Sequence, residues 1–289
     1  MSSFDNKKGL RVVITLANGK TFDNGKDQVI IEGFRTLLEV NLAGDMQLGT
    51  ANIRIFGLSK PIMDTCTSLV WEDNRSIIQN TITVTAIDGT QETLCFSGNI
   101  VQAFGDFQAV PDVCLYVQAI SLREAAVRSI PPLSYRGAAD VASLFQQIAA
   151  SINKGFENNG VNIQLYDVYL PSTATEQMRD LARMANINWG VDGDVVWIAP
   201  KGAGRGDIIP VISRETGMVG YPTPDGVGIS LITLYNPAIR QNGKIEVQSD
   251  VLRANGIWIV NSMTLSLSCE LPDGQWYSIV RASKLGYGL

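Results

Sequence analysis

The sequence contains no histidine among its 289 residues. That absence removes Ser-His-Asp and Cys-His nucleophilic catalysis, histidine-containing metal sites and the usual proton shuttle near neutral pH. Charge is also scarce, at 18% of residues, where soluble domains usually carry about 25%. The 23 basic residues are outnumbered by 28 acidic ones, so a positive stripe for nucleic acid has no support in composition. The four cysteines, Cys66, Cys95, Cys114 and Cys269, form no Cys-x-x-Cys pair, and without histidine they cannot complete a common zinc site. Three of them sit in apolar, strand-like surroundings, which suits small buried thiols kept reduced in a cytoplasm. No apolar run approaches the roughly 18 residues of a membrane span. Residues 1–8 are polar and no apolar signal core follows them, so the expectation is a soluble chain without a signal peptide.

What is present points to packing. Apolar residues make up 45% of the chain, enough for real cores. Low charge with a mean hydropathy of +0.09 suggests surface that is covered by partners.

Periodicity divides the chain into three segments, and the expected fold is mainly β with an α+β insert: two small β-barrel domains flanking an α+β module. In residues 1–125, Leu10, Val12, Ile14 and Leu16 alternate before Asn18 and Gly19, residues that a tight turn prefers. Further strands are expected at 34–42 and 49–56, a short helix at 59–69 beside Pro61, and a hairpin at 81–101 turning on Asp88 and Gly89. Many short strands at turn-spaced intervals suggest a barrel. In residues 126–200 the period changes. Val141, Leu144, Phe145, Ile148 and Ile152 form a helical stripe over 137–154. A strand is expected at 161–170, and Thr173 with Glu176 makes a Thr-x-x-Glu start for a second helix. Trp189 and Trp197 flank a hairpin that turns on Asp192 and Gly193, across which they could meet. Residues 201–289 return to strands at 208–213, 229–234, 244–247, 258–269 and 276–282. The glycine-rich stretch 200–207 reads as a linker.

Chemistry-bearing motifs are few. A glycosidase needs only two carboxylates, and Glu176 with Asp180, or Glu215 with Asp225, could supply them. The first pair shares a helix face that capping already explains, and the second lies in a turn-rich connection. The loop from Gly202 to Gly206 lacks the Gly-Lys-Ser/Thr ending of a phosphate-binding loop. Arg205, Gly206 and Asp207 spell a cell-adhesion tripeptide, which reads more simply as a flexible turn. Trp71, Trp189, Trp197, Trp258 and Trp276 could form a sugar platform, or pack in cores. No catalytic residue, cofactor site or metal site is therefore assigned. A carbohydrate-binding tail module is the main alternative function, and a peptidoglycan hydrolase a lesser one.

An ordered series of turns and strand edges carries a family resemblance. It comprises Asn188, Trp189 and Gly190; residues 195–200; residues 215–223, reading Glu-Thr-Gly-Met-Val-Gly-Tyr-Pro-Thr; Leu234, Tyr235, Asn236 and Pro237; residues 254–258; and residues 272–278. Residues 97–100 through 111–113 extend it upstream. The chain thereby resembles tail and baseplate hub proteins of contractile-tailed bacteriophages, a part also found in type VI secretion spikes and R-type bacteriocins. The resemblance implies a structural homotrimer in which each subunit contributes two similar barrels. It implies a pseudo-sixfold ring that meets the tail tube protein above and the spike protein below. DNA or a tape-measure protein would pass through the lumen without specific binding. The expected location is the tail baseplate of the virion, after assembly in the host bacterial cytoplasm.

Overall fold

In the computed structural model, residues 7–42, 47–67, 79–108, 110–226 and 228–284 are described. Trp71 lies outside them. The first region is a ladder of antiparallel strands built on period-two alternation. It comprises β1 (Lys8–Thr15), β2 (Gln28–Ile31), β3 (Thr36–Leu42), β4 (Thr50–Phe56), β5 (Thr81–Asp88), β6 (Gln91–Asp106) and β7 (Cys114–Ile120), with the short helix α1 (Lys60–Cys66) after β4. The neighbour order is β3-β4-β7-β6-β5-β1-β2. Leu10, Val12 and Ile14 of β1, Ile53 and Ile55 of β4, Ile82 and Val84 of β5, and Leu115 and Val117 of β7 are all buried. Each such side chain contributes roughly 1.5–3 kcal/mol relative to exposure. Asn18 and Gly19 do form a turn at positive φ, closed by Lys20 N–H donating to the Ala17 carbonyl at 3.2 Å. The chain does not pair immediately, however, because β2 returns only at Gln28. The β5–β6 loop is Gly89 and Thr90, one residue later than the sequence suggests, since Asp88 pairs with Gln91.

The module that follows contains α2 (Arg123–Val127), β8 (Leu133–Ser134), β9 (Ala138–Asp140), α3 (Val141–Ser151), β10 (Gly155–Asn158), β11 (Gln164–Tyr166), β12 (Tyr169–Leu170), α4 (Ala174–Ala185), β13 (Ile187–Asp192) and β14 (Val195–Pro200). Asp140 caps α3 by accepting the Ser143 N–H at 2.9 Å, so the helix starts at Val141, inside the expected span of 137–154. The expected strand at 161–170 is broken into β11 and β12, with Asp167 between them at φ 51°. Thr173 caps α4, its hydroxyl accepting from Glu176 N–H, and Asn186 ends it in the left-handed conformation. Both helices pack their apolar faces beside the three-stranded sheet β10-β14-β13.

The last segment holds β15 (Val211–Ile212), β16 (Met218–Asp225), β17 (Gly228–Leu234), β18 (Lys244–Val247), β19 (Gly256–Cys269) and β20 (Trp276–Lys284). The neighbour order here is β16-β17-β20-β19, with β18 also on β19 and β15 on β18. A side chain at Gly228 would put its Cβ 2.0 Å from the Ala282 carbonyl oxygen, so glycine is what lets β17 lie against β20. β16 is a strand where the sequence suggested only a connection. Its Pro222 and Pro224 mask the pattern, and proline is tolerated because the strand is at a sheet edge.

The chain forms two compact units. Of the described residues, one takes those up to 41, those within 49–124 and 265–277; the other takes those within 42–48, 125–264 and 278–284. The tip of the β19–β20 hairpin thus belongs to the first unit and its base to the second. The mainly β architecture with an α+β insert is as the periodicity suggests.

Candidate assembly surfaces

Some of the exposed apolar side chains lie on or beside the strands that end the sheet order. In the first unit, β2 ends the strand order, with β1 as its neighbour. Its Ile30, which pairs with Val13, is 63% exposed. In the second unit, β16 ends the order. Val219 of β16 faces Ile232 of β17 in register, and they are 43% and 41% exposed. Tyr221 of β16 is 61% exposed, and Ile279 of β20 is also exposed. Asp225 at the end of β16 pairs with Arg281 of β20, 3.6 Å apart. An uncovered edge of this kind is a template for association. β16 restricts it with two prolines and an irregular register between Val219 and Thr223, and β2 with its short length and the charged Lys26, Asp27 and Glu32 around it.

Several charged residues elsewhere are paired. Arg11 on β1 bonds Glu92 at 2.6 and 2.9 Å and Glu32 at 2.7 Å. Its hydrogen bonds hold the Glu92 carboxyl below the usual range. All four cysteines are buried and none is in a disulfide. Burial pushes the Cys66 thiol up to about 12, which leaves it protonated and unreactive at neutral pH.

The residues singled out by sequence fall apart as sites. Glu176 pairs with Arg179 at 3.0 Å and Asp180 with Arg183 at 3.5 Å, all on the exposed face of α4. Asp225 lies on an edge strand and Glu215 in an exposed turn. Trp189, Trp197, Trp258 and Trp276 are all buried, so these four offer no sugar-stacking platform. Trp189 and Trp197 do not meet across their hairpin. Trp189 pairs with Ile198 and Trp197 with Gly190, and this one-residue offset sends the two rings to opposite faces. Trp189 packs near Phe145, ring centres 6.5 Å apart. Among the described residues no cluster of three or more Cys, Asp or Glu could hold a metal ion, and no helix is long and apolar enough to cross a membrane.

The arginine of the adhesion-like tripeptide is buried, while Gly206 and Asp207 are exposed. The Arg205 side chain is 3% exposed. Its Nε and Nη2 donate to the two Glu157 carboxylate oxygens at 3.3 and 3.1 Å, and Nη1 donates to Asp192 at 3.0 Å. The guanidinium also lies 5.3 Å from the centre of the Trp197 ring. Burial pushes the Glu157 carboxyl up, but the hydrogen bonds and charge of Arg205 outweigh it and hold the group below its ordinary range. The glycine-rich composition had suggested a linker, whereas partners far away in sequence fix it.

Comparison with known proteins bears on what these surfaces are for. A family model described as baseplate hub gp41 matches residues 9–280. Comparison with curated proteins finds no match. Among solved structures, the tail protein from Neisseria meningitidis MC58 aligns with a TM-score of 0.62 at 10% identity, covering 96% of this chain and 97% of that one. The 43 kDa tail protein of prophage MuSo2 from Shewanella oneidensis aligns with a TM-score of 0.61 at 8% identity, covering 95% and 98%. The E. coli c3393 protein, described as a type VI secretion component structurally similar to T4 tail proteins gp27 and gp5, aligns with a TM-score of 0.56 at 10% identity, covering 88% and 74%. At such identities these likenesses concern the fold.

Proposed function

The chain belongs to the baseplate hub gp41 family, and on that premise we propose that it is the subunit of a trimeric ring joining a contractile tail tube to its central spike. The family match across residues 9–280 is the observation that carries the structural hub role. The ring is supported by the two unlike sheet edges, β2 with Ile30 and β16 with Val219 and Tyr221. Surfaces that differ within one chain associate head to tail, and head-to-tail contacts close into rings when the rotation allows.

In this reading residues 1–125 and 201–289 supply two barrel domains around the module 126–200, with the tip of the last hairpin lent to the first. Three subunits then present six similar strand-rich faces to the tube and a threefold face to the spike. The lumen carries the acidic excess of the chain, so DNA or a tape-measure protein slides through without sticking. The role is non-catalytic, in keeping with the missing histidine and with Glu176 and Asp180 engaged by arginines. The protein sits in the virion baseplate and is assembled in the host cytoplasm. Native mass spectrometry of the full chain, alone and with its tube and spike proteins, tests this. A trimer that binds both supports the reading. A strict monomer at high concentration that binds neither overturns it.

A further inference from the structure

We infer that residues 203–206 are a latch, with the Arg205 side chain as its pin, that holds the α+β module to the strand system following it. The segment is engaged from both sides. Toward the module, the guanidinium makes three bonds to carboxylates on two strands, Glu157 of β10 and Asp192 of β13, and lies near the ring of Trp197 on β14. Gly206 N–H adds a bond to Asn159 Oδ1 at 3.1 Å. Toward the following strands, Arg205 N–H donates to the Asn242 carbonyl at 2.6 Å, and Asn242 Nδ2 donates to the Ala203 carbonyl at 3.2 Å. Arg205 also bridges Gly243 in parallel fashion. Gly204 packs closely here, since a Cβ there would lie 2.5 Å from Lys244 Cγ and the lysine would have to shift.

One cation therefore closes the segment onto two anions. Removing a buried charge partner leaves the others uncompensated. Here Glu157 and Asp192 are 34% and 42% exposed, so without the pin they can turn to water and separate. Loss of the pin thus opens the segment and leaves the rest of the fold intact. The segment is then held only by its backbone and asparagine bonds, which open more readily. The arginine of the tripeptide acts inside the molecule, which is opposite to adhesive display.

Amide hydrogen exchange on the full chain tests this, comparing wild type with Arg205→Met and Arg205→Lys. The latch predicts that exchange at residues 203–206 and 242–243 rises at least about tenfold in Arg205→Met, and less in Arg205→Lys. Exchange in the β1–β5 ladder should stay within about twofold of wild type. Unchanged exchange at 203–206 overturns the proposal. So does a rise shared equally with β1–β5, because Arg205 would then be a general stability element. Should Arg205→Met fail to fold, Glu157→Gln is read at the same amides. It removes one anion and keeps the pin, and the latch predicts a local rise of several-fold, with no change counting against it.

Discussion

The β1–β7 region and the α+β module are held together in different ways. The first closes on apolar alternation: Leu10, Val12, Ile14, Ile53, Ile82 and Leu115 fill its interior, and its arginine Arg11 meets Glu32 and Glu92 at the surface. The module instead covers both faces of one hairpin with different chemistry. On one face of β13–β14, Trp189 packs near Phe145. On the other, Trp197 lies beneath a buried arginine held by two carboxylates. Apolar burial is nondirectional and indifferent to pH, whereas the polar face depends on geometry and protonation. The module is therefore where small changes are expected to act locally.

The largest expected effect removes the apolar half of that contrast. Phe145→Ala should destabilise the module by about 3–5 kcal/mol, read as a lower urea midpoint for tryptophan fluorescence. A loss below about 1 kcal/mol would mean that this face is not the module's core. Next comes the seam between the two faces. A Cβ on Gly190 would lie 2.5 Å from Trp197 Cζ2, so Gly190→Ala should cost about 1–3 kcal/mol through overpacking. A neutral outcome would show that the indole shifts freely under Arg205.

The smallest effect separates the regions by pH. The Glu157 carboxyl is held below its ordinary range in the folded state. Its contribution is thus fully present above the unfolded value, about 4.3 for glutamate, and is lost as pH falls through the folded value. Exchange protection at residues 203–206, corrected for intrinsic rates, should weaken on acidification before that of β1–β5. Simultaneous loss in both regions would erase the distinction.

What was legible in the sequence follows the same division. The alternation in β1, the stripe of α3, the Thr173 cap and the limits of β18 all rest on local pattern, and the structure has them. The offset between Trp189 and Trp197 was not legible, because composition around a turn does not reveal which residues stand opposite. β16 was read as a connection because Pro222 and Pro224 interrupt its pattern, although edge position is what permits them. The stretch 200–207 has the composition of a linker because glycine reports backbone freedom. Nothing local reveals that Arg205 meets a carboxylate 48 residues away. The hub resemblance, carried by turns and strand edges, reached the family that the family model identifies.

The central claim is that this chain is a structural hub between tube and spike, and imaging of an intact particle tests it most directly. A cryo-electron microscopy map of the tail, with this chain located in the density, should show three copies ringing the axis at the junction of tube and spike. Its absence from the particle, or its position at a peripheral receptor-binding fibre, would contradict the account.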